Sequence, residues 1–273
     1  MAPSDIRTVF LTGASSGIGL ETAKLLTAQG FEVWGTSRDA ARLPKLPRFH
    51  GVKMDLAQMD SIRQGFAAAS QEAGAFDVLI NNAGTGVFGA IEAVPAEMVR
   101  EQFQVLVGAP LELIRLALPA MRQRNRGIII NVTSLAAQFP IPFMAPYTAA
   151  KSALSAFTTG LRIELSNSPI RVVEVRPGDI NTSFHDRTKR VETTRSPEEQ
   201  HRMKSAWETQ LRNMADAPRP DHVAQAMLRV ITTPNPPPVV VVGGLFQARL
   251  APLGARFLPL RVLEFALRKY YRL

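Results

Sequence analysis

The sequence predicts an α/β protein: a Rossmann-type, doubly wound, seven-stranded parallel sheet with helices on both faces. Three observations carry that expectation. Short apolar runs alternate with segments of helical spacing along the whole chain. Most of those runs are continuously apolar, as strands covered on both faces are. The first of them leads at once into a glycine-rich turn and a helix, Thr12-Gly13-Ala14-Ser15-Ser16-Gly17-Ile18-Gly19.

The elements follow in order. Thr8-Val9-Phe10-Leu11 is the first strand, and Ile18 to Gln29 the first helix, with Gly30 at its C-cap. Phe31-Glu32-Val33-Trp34 begins the second strand. Gly51-Val52-Lys53-Met54 is a weaker third, followed by a helix through Ile62 and Phe66. Phe76 to Ile80 is the fourth strand, and a long helical region runs from about Ala96 to Arg124. Gly127-Ile128-Ile129-Ile130-Asn131-Val132 is the clearest β run. A helix from Pro146 to Ser166, a strand at Ile170 to Val175 and a strand at Pro238 to Val242 complete the series. No linker or internal repeat interrupts it, so the 273 residues read as one domain. Two segments lie outside the rhythm. One is residues 184–220, with a helix capped by Ser196-Pro197-Glu198-Glu199. The other is the tail at 245–273.

Composition removes several classes. With 46% hydrophobic and 20% charged residues the chain is not disordered. Without cysteine there is no disulfide, thiol nucleophile or Cys-ligated metal. His50, His185, His201 and His222 are scattered, so no metal site is expected. The net charge of +9 suits nucleic acid, anionic lipid or phosphorylated ligands. Much of it is concentrated from Arg249 onward and between Arg187 and Arg195, away from the sheet. No helix-turn-helix, zinc or RNA-binding signature is present, so no nucleic-acid partner is expected. The N-terminus lacks the apolar core of a secretory signal, and a cytoplasmic protein is expected. Residues 128–150 carry no charge, but Asn131, Gln138 and three prolines favour a strand, a loop and a helix start over a membrane span.

The glycine turn carries the first chemistry. Glycines let a backbone approach a pyrophosphate while N–H groups at a helix N-terminus point at it; a tight turn without a ligand uses them too. The second strand ends in Thr36-Ser37-Arg38. An acidic residue there would bind a ribose 2′-hydroxyl, whereas Arg38 suits a 2′-phosphate. NADP(H) is therefore preferred, with Asp39 keeping NAD(H) open. Tyr147 and Lys151, at i and i+4, share one helix face. A nearby cation favours phenolate and draws the tyrosine toward neutral titration. A half-buried tyrosine beside a solvated lysine has the same spacing. Ser134 stands at the end of the strongest strand, where ligands sit in such sheets, and can donate to a carbonyl oxygen.

Together these residues resemble the short-chain dehydrogenase/reductase family, in its ordinary single-domain subgroup and closest to the steroid/retinol-dehydrogenase-like branch. Thr12 to Gly19 resembles the TGxxxGxG loop, and Asp55, followed by Leu56, the acidic residue near the adenine. Asn81-Asn82-Ala83-Gly84 resembles NNAG. Ser134, Tyr147 and Lys151 resemble the catalytic Ser, Tyr and Lys. Pro177-Gly178 with Thr182 resembles the PGxxxT segment that holds the nicotinamide carboxamide.

The resemblance implies hydride transfer between a nicotinamide and an alcohol/ketone pair. Tyr147 would be the general acid in reduction. Lys151 would lower its pKa and bind the nicotinamide ribose, and Ser134 would polarise the carbonyl. The implied cofactor contacts are Gly13, Ser15, Ser16, Gly17, Ile18, Gly19, Arg38, Asp55, Leu56, Asn82, Ala83, Gly84, Tyr147, Lys151, Pro177, Gly178, Ile180 and Thr182. No metal is implied, and a homodimer or homotetramer is. Residues 1–273 would form one dinucleotide-binding and catalytic domain, with a lid at 184–220. The apolar loop from Leu135 to Pro146, with Val87 and Phe88, suits a steroid-, retinoid- or acyl-like substrate, or is core packing. Arg187, Lys189, Arg190 and Arg195 in the lid would meet an acidic substrate or water. Alternatives are a 3-oxoacyl reductase of fatty-acid type and a non-catalytic NADP(H)-binding sensor.

One position departs from the pattern. Leu106, in Phe103-Gln104-Val105-Leu106-Val107, stands where the family usually has a catalytic Asn. Pro110 lacks an N–H, so it would leave the carbonyl of residue 106 without its helical partner and able to hold a proton-relay water. In the tail, Arg261, Glu264, Arg268 and Arg272 form one helical stripe, and Leu260, Leu263, Leu267 and Tyr270 another. That helix would contact an anionic membrane surface or pack against protein.

Overall fold

The computed structural model describes residues 6–192, 196–244 and 258–273. Seven parallel strands form the central sheet: β1 (Thr8–Leu11), β2 (Glu32–Ser37), β3 (Phe49–Lys53), β4 (Val78–Asn81), β6 (Gly127–Val132), β7 (Ile170–Pro177) and β9 (Val239–Val242). Their order is β3-β2-β1-β4-β6-β7-β9. The chain builds outward from β1 in both directions, so a crevice opens at the strand carboxyl ends between β1 and β4. A two-residue pairing of β5 (Val87–Phe88) with β8 (Lys189–Arg190) ties the segment after β4 to the lid.

Alternation along β1 divides the core. Val9 and Leu11 pack with Ala23 and Leu26 of α1 (Gly17–Ala28) and Val223 and Met227 of α7 (Pro220–Thr232). Phe10 faces the other way, to Phe66 of α2 (Met59–Ala73), Leu113 of α4 (Ala109–Gln123) and Leu161 of α5 (Ala145–Glu164). Both faces of the sheet are thus covered, as the continuous apolar runs require.

Several boundaries differ from expectation. β2 does end at Ser37 as expected, with Gly35 in the ladder, where a Cβ would stand 2.4 Å from the Phe49 ring. β4 begins at Val78 rather than Phe76. The Asp77 carboxylate accepts from the Arg7 and Thr8 amides (2.8 and 3.2 Å) and pairs with Arg124 and Arg126, anchoring the start of β1. The helical region after residue 96 has three parts: α3 (Ala96–Phe103), a π-helical turn at Gln104–Gly108, and α4. By length and composition Ala96–Gln123 would cross a membrane. In the fold its Leu113, Ile114, Ala117 and Met121 are buried in the core.

The lid helix α6 (Pro197–Ala215) is capped as its sequence requires, with Ser196 Oγ accepting from the Glu199 amide at 3.2 Å. Arg195 and the tail residues 245–257, Arg249 among them, lie outside the described residues. The tail helix α8 (Leu260–Tyr271) corrects one expectation. Its inward face is Leu263, Leu267 and Tyr271, while Leu260 and Tyr270 are exposed, 68% and 45%. The apolar stripe turns to bring the buried Tyr271 inward. There the Tyr271 carbonyl accepts from Ser205 Oγ of α6 at 3.2 Å.

Candidate active site

A cavity of about 390 Å³ runs from the glycine turn, past the ends of β4, β6 and β7, to the lid and α8. All the sequence-predicted catalytic and cofactor residues line it. So do Arg42, His185, Gln210, Met214 and Tyr271, which carry no motif and reach the cavity only through tertiary packing.

The glycine turn has the form of a phosphate cradle. Gly13 and Gly17 hold positive φ, +72° and +55°. A Cβ on Gly19 would sit 2.0 Å from the Gly13 carbonyl oxygen, so no side chain fits there. Ser16, the N-cap of α1, has a buried Oγ without a partner among the described residues. Thr12 Oγ1 accepts from the amides of Asn82 and Ala83 (2.9 and 3.0 Å), and Asn82 Nδ2 donates to the Thr12 carbonyl. The segment after β4 is thereby locked onto the turn. These features fit a pyrophosphate.

Three guanidinium groups gather at one end of the cavity. Arg38 and Arg42 follow β2, and Arg187 arrives from the lid, its Nη2 about 4.0 Å from where a Gly17 Cβ would be. Burial lowers the Arg187 pKa, and the charges of Arg42 and Arg38 add to that, against Asp186. Like charges converging on a concave surface are a binding site for an anion.

At the other end Tyr147 and Lys151 are buried on one face of α5. Lys151 Nζ donates to the Val132 carbonyl at 2.8 Å and stands 5.9 Å from the Tyr147 ring centre. The expected lowering of the tyrosine is not what the structure shows. Burial pushes the Tyr147 pKa up to about 12, with hydrogen bonding to Ser134 pulling down and Asp179 pushing up. Burial likewise depresses Lys151 to about 8, against the opposing effect of Glu174. Desolvation penalises the charged form of each and is the largest cause of both shifts.

Beneath the pair lies a charge cluster that the motifs did not indicate. The fully buried Glu174 of β7 accepts from Thr133 Oγ1 (2.5 Å), Ser155 Oγ (3.1 Å) and the Arg176 guanidinium (2.9 Å twice). Thr133 precedes Ser134, and Ser155 lies one turn beyond Lys151. One carboxylate thus joins the strand end that carries the serine to the helix that carries the lysine.

Leu106 is buried in the π turn and packs with Phe88, Met144 and Tyr147. Pro110 follows that turn and offers no amide to the Leu106 carbonyl. Leu106→Asn is therefore expected to leave kcat within about twofold. An amide placed among apolar neighbours should cost about 1–3 kcal/mol in urea unfolding. A many-fold rise in kcat at constant KM would show instead that the main-chain carbonyl does not serve the relay.

Comparison with known proteins agrees with this geometry. A family model described as short chain dehydrogenase matches residues 7–193. A 3-ketodihydrosphingosine reductase from Bacteroides thetaiotaomicron is 33% identical over 267 residues, 96% of this chain and 97% of that protein. A short-chain dehydrogenase structure from Streptomyces avermitilis superposes with a TM-score of 0.81 at 27% identity, covering 96% and 97% of the two chains. A metagenomic short-chain oxidoreductase solved with NADP superposes at 0.69 and 26% identity, covering 89% and 97%. The chain belongs to the short-chain dehydrogenase family and is an oxidoreductase that binds a nicotinamide cofactor.

Proposed function

We propose that the protein is an NADP(H)-dependent reductase/dehydrogenase interconverting an apolar ketone and its alcohol. The observation that carries this reading is the burial of Tyr147 and Lys151 in the same cavity as the phosphate cradle. When bound, the nicotinamide would supply the hydride chemistry at the carbonyl or carbinol carbon. Tyr147, protonated at neutral pH, gives its phenolic proton to the carbonyl oxygen in reduction. Ser134 is the hydrogen-bond donor to that oxygen as charge develops on it. Lys151, held against the Val132 carbonyl, supports the phenolate left behind. Pro177, Gly178, Ile180 and Thr182 line the cavity where the carboxamide would be held.

The 2′-phosphate assignment rests on Arg38 together with Arg42 and Arg187. Replacing Arg38 or Arg187 with Ala should raise the NADPH Kd roughly tenfold or more, the worth of a charge-assisted hydrogen bond. NADH binding should change by less than about twofold. Equal losses for the two cofactors would remove the assignment.

Ile141, Met144, Phe184 and Met214 form the apolar wall. An alkyl or ring ketone suits it, in keeping with the lipid ketone named for the Bacteroides relative. NADPH oxidation with a panel of steroid, retinoid and long-chain ketones tests the reading. NADPH binding without turnover of any of them would favour the sensor alternative.

A single catalytic domain, assembly as a homodimer or homotetramer, and a cytoplasmic location belong to the same proposal. So does peripheral membrane contact through α8. Exposed Leu260, Val262 and Phe265 beside Arg261, Arg268 and Lys269 support that contact.

A further inference from the structure

The wall of the cavity beyond Tyr147 includes the polar residues Asp179 and Tyr271, and two further ones whose buried polar atoms have no partner among the described residues. Gln210, on α6, is 5% exposed, and its Nε2 is buried without a hydrogen-bond partner among the described residues. His185, on the lid, has both ring nitrogens buried and also without a partner among the described residues. Both line the cavity.

Trp207 relates the two. The His185 ring meets Trp207 edge-on at 5.0 Å, and Gln210 follows Trp207 by one helical turn. The neighbouring Phe184 ring lies 5.6 Å from the Tyr147 ring. The Arg190 guanidinium sits 4.9 Å over the Trp207 ring and holds its outer face. A run of ring contacts, Tyr147–Phe184–His185–Trp207, thus connects this part of the wall to the tyrosine.

An unpartnered buried polar group costs about 1–3 kcal/mol, and folded chains rarely retain one without a use for it. Three of the eight such atoms among the described residues belong to these two cavity-lining side chains. Burial lowers the His185 pKa, so the ring is neutral near pH 7, with one nitrogen a donor and the other an acceptor. The Gln210 amide adds donors. This set matches a group that both gives and takes hydrogen bonds, a hydroxyl or an amine.

We propose that His185 and Gln210 form a polar subsite for a hydroxyl or amino substituent within a few bonds of the reacting carbonyl. The preferred substrates are then hydroxy- or amino-substituted apolar ketones rather than plain ones. The inference rests on the ketone-reductase reading above.

The experiment compares a long-chain secondary alcohol with its counterparts bearing a neighbouring hydroxyl or amino group. Each is titrated calorimetrically into the NADP-loaded protein, and the matching ketones are assayed with NADPH. The substituted ligand should bind about tenfold tighter or more, because a site built to hydrogen-bond a substituent rejects the analogue lacking it. In His185→Phe and Gln210→Leu that ratio should fall toward one. Damage that is merely structural would weaken both ligands and leave the ratio in place. Equal binding of the two alcohols by the unaltered protein would overturn the subsite, as would an unchanged ratio in both variants. A preserved binding preference with no turnover of any ketone would sink the reductase reading while leaving the subsite standing.

Discussion

Tyr147→Phe should lower kcat for ketone reduction by about 10²- to 10⁴-fold, the usual contribution of a positioned general acid. The ring fills the same volume, so packing against Leu106, Met144 and Ala150 survives. What is lost is one hydroxyl at a buried site. The phosphate cradle and the arginines lie at the far end of the cavity, so the NADPH Kd should stay within about threefold of the original. Stopped-flow NADPH oxidation and a fluorescence titration measure the two quantities separately. A variant that retains most of its turnover would remove Tyr147 from the acid role. A variant that loses cofactor binding as well would show a misfolded site rather than a missing proton.

Glu174→Gln should act on both stability and pH dependence. Arg176, almost fully buried, would lose the carboxylate that holds it, and breaking a buried ion pair costs about 3–5 kcal/mol. Urea denaturation reads this directly. The pH effect follows from Lys151. With its pKa near 8, reduction should proceed at a constant rate below that value and fall as the ammonium deprotonates above it. Glu174 raises the Lys151 pKa, so its neutralisation should move the falling limb to lower pH. A limb that stays in place would show that the lysine does not feel this charge. The stability contribution of Lys151 itself has the opposite pH trend. Its folded-state pKa lies below its unfolded one of about 10.5, so the unfolded chain holds more protons between the two values. That contribution is therefore recovered as pH rises from about 8 to 10.5.

The part of the fold written in local pattern was legible. Gly127–Val132 coincides with β6 because six apolar or β-tolerant residues between turn signals have one reading. The capped lid helix was equally plain from Ser196 and Glu199. The end of β2 at Ser37 was legible too, whereas the Phe49 ring that leaves room only for glycine at position 35 comes from a neighbouring strand. The two-residue strands β5 and β8 are too short to have a periodicity. At the site, spacing placed Tyr147 and Lys151 on one face but carried no information about their desolvation, which decides both pKa values. Arg42, His185, Gln210 and Tyr271 were invisible as site residues because the lid and tail bring them in by packing rather than by motif.

All six pairings in the central sheet are parallel, so no tight hairpin closes any of them. β1 is the first strand synthesised, yet one of its edges stays open until β4 is made and Val9 can meet Val78. Loop-closure entropy must be overcome before such distant contacts return any stability. The nascent chain therefore carries bare, strongly apolar strand edges for much of its synthesis. Its yield on expression should depend more on chaperone supply and temperature than the stability of the finished molecule suggests.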